Sequence, residues 1–218
     1  SGFANSLKLR RVTPNWLDVA ADPDTIQAQI HAVLADGIPL GWVPGATVID
    51  KLLQAADGSA RRRVIGNNWR GILNDCETVA GALGSRRALF LADMIRRAIA
   101  AVRDRHTEAA QALATNVLDT VISQFRVPTL NLDKGAILNA DQKKKLAAHG
   151  WRFAFSLLPA HATMTGKYGV DHRGTAFHRN VTAHAATRRQ YNRINAVIAI
   201  MLASSVLACA VTDTPTFD

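Results

Sequence analysis

Residues 194–211 read INAVIAIMLASSVLACAV, an apolar run in which only Asn195, Ser204 and Ser205 are polar. Its length approaches that of a bilayer crossing, and Arg188, Arg189 and Arg193 precede it as a basic flank would. A helix that is apolar all round is also the signature of the central element of a helical bundle. The run is barely long enough to span, and its three polar residues interrupt it. We therefore expect a buried central helix and no stable membrane insertion.

Upstream, apolar residues recur at helical spacing. Ile26, Ile30, Val33 and Leu34 mark a helix within residues 24–36, which Gly37 and Pro39 end. Pro44 can open the next, through Val48, Ile49, Leu52 and Leu53 to Gly58. A serine cap at Ser59 introduces a third, carrying Val64, Ile65, Trp69, Ile72, Leu73, Cys76 and Val79. Residues 86–105 and 107–125 give two more, with Thr107 as a cap, and Pro128 closes the second. Residues 127–138 read as a connection and 141–158 as a further helix, followed by an irregular segment over 159–174. No strand-like alternation and no fixed-period repeat occurs. The expected fold is all-α, an antiparallel bundle of about seven helices with a long C-terminal helix. Residues 1–22 show no period and read as an N-terminal arm or short helix, leaving 23–218 as a single helical domain.

Composition agrees. Hydrophobic residues make up 48% and charged residues 20% of the 218, which is a globular rather than a disordered balance. The net charge of +9 favours a polyanionic partner, because phosphates gain from concentrated Lys and Arg. Cys76 and Cys209 lie in apolar helical context without CxxC spacing, which excludes the usual zinc fingers and suits buried thiols in a reducing compartment. No secretory signal opens the sequence, so a cytoplasmic location is expected. It begins at Ser1, as the cut edge of a longer protein would.

Just before the apolar run stands Arg179-Asn180-Val181-Thr182-Ala183-His184. If the last helix starts near Thr175 and continues to Ala210, Asn180 and His184 stack one turn apart, and the same stripe continues through Arg188, Tyr191 and Asn195. Arg179 lies off that face, within reach of it by its long side chain. Histidine suits proton transfer near neutral pH, arginine offers a fork of donors to phosphate oxygens, and asparagine can orient the imidazole or donate to the phosphate.

This hexapeptide and the apolar helix after it resemble the signature of the HEPN superfamily, small helical bundles that include many metal-independent RNA-cutting toxins and defence nucleases. The resemblance covers about residues 170–211 and carries over three residues, Arg179, Asn180 and His184, as the catalytic set. It implies attack by an RNA 2′-hydroxyl at a composite site formed where two copies meet, leaving a 2′,3′-cyclic phosphate. Neither metal nor cofactor is implied. RNA is the expected substrate, a homodimer the expected assembly, and an antitoxin or larger complex a further partner. By position, Arg188 and Tyr191 are candidate RNA contacts, as are Arg173 and Lys167 in the glycine-rich segment. Some HEPN toxins have a tyrosine two residues after the histidine, which a partner enzyme modifies. Here that position is Ala186, so that form of restraint is not implied. The alternative is a non-catalytic helical module that binds nucleic acid or protein.

Other signals are weaker. His161, His172, His178 and His184 crowd together, but no pair shares a helical face and only Asp171 adds a carboxylate, so a metal site is not expected. Gly166-Lys167 precedes a tyrosine and is no phosphate loop. The runs Arg61–Arg63 and Lys143–Lys145 read as solvated helix faces.

Overall fold

The computed structural model of the chain describes residues 12–84, 86–124, 150–164, 175–184 and 187–213. Among them are eight α-helices and no strand: α1 Gln27–Ala35, α2 Ala46–Gln54, α3 Gly58–Gly81, α4 Arg86–Arg103, α5 Thr107–Gln124, α6 Trp151–Ala162, α7 Arg179–His184 and α8 Arg193–Asp213. The fold is an all-α bundle.

Helix α8 is its axis. Every residue from Ala196 to Ala210 is buried, and α3, α4, α5 and α6 all pack against it. By length and composition it could cross a membrane, yet 89% of its apolar window lies inside the protein. Two of its polar residues meet polar partners: Asn195 accepts from Arg62 and donates to the carbonyls of Thr175 and Gln190, and Ser205 donates to Ser156 at 2.8 Å. Where α3 crosses the start of α8, Gly66 leaves room for Ile194; a Cβ there would meet its Cδ1 at 3.3 Å.

Within residues 1–22, read as an arm or short helix, Pro14–Trp16 form a short 3-10 helix, and part of the segment belongs to the core. Val12, Trp16 and Val19 are buried. Trp16 stacks on Phe155 at 4.6 Å between ring centroids, and its indole N–H donates to the Leu40 carbonyl. Tryptophan buries a large area provided its N–H finds a partner, and here it does. The same loop is tied to α6 by a second route. Pro159 lies inside α6 and has no N–H to offer the carbonyl of Phe155; the Leu40 N–H donates there instead, at 3.1 Å. This is why α6 continues through Pro159 to Ala162 rather than ending at Leu158. Gly37 closes α1 in the left-handed region, φ +74°, with Thr163 so close that a Cβ would meet its Cγ2 at 2.6 Å.

Three further expectations change in detail. The cap of α3 is Asp57, whose Oδ1 accepts from Ala60 N at 2.7 Å, rather than Ser59. The arginine run is not uniformly solvated: Arg61 is 8% exposed and pairs with Asp36, Arg62 reaches Asn195, and only Arg63 is exposed. The last helix is not continuous from Thr175. Asn192 breaks the chain by capping α8, its Oδ1 accepting from Asn195 N at 3.0 Å, so α7 is a separate short helix. The connection over 127–138, the first part of the helix expected at 141–158, Phe125 and Lys143–Lys145 lie outside the described residues.

Candidate functional site: the Arg179–His184 helix

Helix α7 lies on α5, and a polar stripe on α5 receives it. Gln111, Thr115 and Asp119 are spaced four apart and so share one face. Gln111 Nε2 donates to Thr182 Oγ1 at 2.8 Å within the core. One turn on, Thr115 donates to the Gln111 carbonyl. At the end of the stripe, Asp119 takes the Arg179 guanidinium with both oxygens, Nε to Oδ1 at 2.6 Å and Nη2 to Oδ2. Each side chain of this pair is 16% exposed.

Asn180 completes the fixture. Its Oδ1 accepts from Arg179 Nη1 at 2.8 Å, and its Nδ2 donates to the Met164 carbonyl at 3.1 Å. Three bonds thus hold the arginine, and one N–H on each terminal nitrogen points elsewhere. Burial pulls the Arg179 pKa below its usual value.

His184 sits at the other end of α7 and is exposed. Five residues of helix turn it about 140° away from Arg179. The arginine faces α5 while the histidine faces out. Asn180 and His184 are four residues apart, as expected, but the helix ends there and the stripe expected to continue along it does not exist. Arg188 lies exposed in the turn that follows. Tyr191 is half-buried, and its hydroxyl donates to the Thr182 carbonyl at 2.7 Å, fastening the turn back onto α7. That contact is structural, and burial raises the phenol's pKa. Gln190, buried, does the same from the other side, donating to the Ala176 carbonyl and accepting from His178 N. His178 is buried with Nδ1 near Val181 N.

The structure therefore brings Arg179 and Asn180 together, places His184 on another face of the same helix, and ties the Tyr191 hydroxyl to the Thr182 carbonyl. Arg173, Lys167, Asp171 and His172 lie outside the described residues. No group of His, Cys, Asp or Glu side chains among the described residues is arranged to hold a metal ion. Sequence reasoning missed Asp119, although the four-residue spacing of Gln111, Thr115 and Asp119 beside the buried Ala114, Leu118 and Ile122 is a sign that α5 faces something polar.

No protein family, curated protein or solved structure matches the chain.

Proposed function

We propose that this protein is a metal-independent endoribonuclease of HEPN type, acting as a homodimer. Arg179 binds phosphate, Asn180 orients it, and His184 transfers protons. The observation that carries the reading is the fixation of Arg179 by Asp119 and Asn180 on the same short helix that ends in an exposed histidine. A pre-positioned guanidinium loses little freedom on meeting a phosphate, so its remaining N–H groups favour the five-coordinate transition state.

In the reaction, one His184 takes the proton of the 2′-hydroxyl as that oxygen bonds to phosphorus. The phosphorus–5′-oxygen bond breaks, and the departing oxygen receives a proton from His184 of the second copy. The products are a 2′,3′-cyclic phosphate and a 5′-hydroxyl. The angle between Arg179 and His184 around α7 favours this division of labour, since one copy does not direct both side chains at one point. The net charge of +9 suits the substrate.

The test is incubation of labelled RNA with the protein in EDTA, beside His184→Ala. The expected result is cleavage to cyclic-phosphate ends that the variant has lost while its fold is unchanged. A fully active His184→Ala overturns the assignment.

A second reading, a non-catalytic helical interaction module, draws on the same ion pair, because Asp119 already supplies Arg179 with a structural partner. Intact RNA after incubation with wild-type protein selects it.

A further inference from the structure

A concave region lies between the first turn of α2 and the outer face of α3. It is an open groove of about 410 Å³, lined on one side by Gly45, Thr47 and Val48 and on the other by Asn67, Trp69, Arg70, Gly71 and Asp75. That volume falls at the small end of the range for small-molecule sites.

Its chemistry is divided. Arg70 lines the groove, and its guanidinium and that of Arg193 lie over the ring of the lining Trp69, 4.6 Å and 5.1 Å from its centroid. Cations held on an aromatic face keep their N–H edges available to an anion. Lys51 adds a third positive charge, donating to Asn68 at 3.0 Å. Asp75 is different: half-buried, it accepts from Gly45 N at 2.9 Å through Oδ2, and Oδ1 remains as an acceptor. Asn67, exposed in the wall, offers an amide with both donor and acceptor. Gly71 leaves open space, with nothing within 4 Å of where a Cβ would stand.

A ligand complementary to this groove is anionic at one end and rich in N–H donors at the other. A purely anionic ligand would meet the Asp75 carboxylate, and a purely cationic one the arginines. We infer that the groove binds a nucleotide unit, its phosphate against Arg70 and Arg193 and its base turned towards Asn67 and Asp75. Base amino groups donate to carboxylate oxygens, and a flat base suits the aromatic and guanidinium surface. The site is separate from Arg179 and His184 and does not depend on the nuclease reading.

The experiment measures binding in EDTA by fluorescence polarisation of a labelled oligoribonucleotide, with guanosine and cytidine monophosphates as competitors. It is run on the otherwise complete His184→Ala protein, so that cleavage cannot consume the probe. Two changes are then added separately. Gly71→Leu fills the groove and, in a helix, replaces glycine by a better helix former. Arg70→Ala removes the phosphate contact from an exposed position. Each is expected to weaken binding by about tenfold while the circular dichroism and melting temperature stay within those of the parent. A monophosphate that displaces the probe at comparable affinity identifies a free nucleotide as the ligand. An oligonucleotide that binds far more tightly, with strong salt dependence, identifies single-stranded RNA. Absence of binding by either probe, or an affinity unchanged in both variants, overturns the inference. A failure of RNA cleavage in the earlier test leaves this result untouched.

Discussion

Arg179 and Asp119 are joined across sixty residues of sequence by a two-pronged ion pair, Nε and Nη2 of the one meeting both oxygens of the other. The pair fastens α7 to α5 and sets the direction of the only arginine in the hexapeptide.

Removing Asp119 leaves a mostly buried guanidinium without its counter-charge. Asp119→Ala is expected to cost about 2–4 kcal/mol of unfolding free energy, somewhat below the loss for a fully buried pair. Urea denaturation of the variant measures this; a change under about 0.5 kcal/mol would show that the pair does not anchor α7.

His184 is exposed, so its replacement touches little of the packing. His184→Ala should alter stability by less than about 0.5 kcal/mol while abolishing RNA cleavage. The contrast with Asp119→Ala, read by the same denaturation curves, distinguishes the exposed end of α7 from the end anchored on α5.

Asp75 has its pKa raised by burial, against the opposing pull of the Gly45 N–H. Since the folded pKa exceeds the unfolded one, the contribution of Asp75 to stability is fully present below the unfolded value of about 3.9 and declines as pH rises through the folded value. Asp75→Asn keeps an acceptor for Gly45 N and has no charge to bury. It is expected to be at least as stable as wild type at neutral pH and to lack this part of the pH slope. Melting temperatures across the acidic range, wild type against variant, provide the comparison.

The Cys76 thiol is pushed up to about 12 by burial, and Cys209 is buried too. Neither should react with a disulfide reagent at pH 8 until the protein unfolds, because the thiolate is the reactive form. The Cys76 shift also makes the fold alkali-sensitive: its contribution is present below the unfolded thiol value of about 8.5 and is lost as pH rises towards the folded one. Rapid labelling of native protein would contradict the burial.

Gly41 sits where a Cβ would be 2.8 Å from Ser156 Oγ and 3.1 Å from Phe155 Cβ. Gly41→Ala is expected to destabilise by about 1–3 kcal/mol through overpacking against α6. Combining it with Ser156→Ala, which removes the nearer atom but strands the Ser205 hydroxyl, should not restore full stability. Thermal melts of the two single variants and the double variant decide this.

Much of the bundle was legible. The helices carrying Ile30, Val33 and Leu34, then Ile65, Ile72 and Cys76, then Val117, Leu118 and Val121 were all visible from spacing, and those residues are buried. The buried nature of residues 194–211 was legible too, because a helix apolar on every side finds neighbours on every side. The hexapeptide was visible as a motif, but its disposition was not. Apolar periodicity does not distinguish Asn192, the cap of α8, from a residue within a continuous helix.

The sequence by itself determined the helices and their apolar faces, because hydrogen bonding within a helix and the 3.6-residue period are local. Only tertiary structure decided that Asp119 receives Arg179, that Asp36 draws Arg61 into burial, that the Leu40 N–H serves the carbonyl Pro159 leaves open, and that Trp16 belongs to the core. Each of these joins residues distant in the chain. Such pairings follow from how whole helices pack, and a buried charge or carbonyl takes whichever complementary group that packing brings within reach.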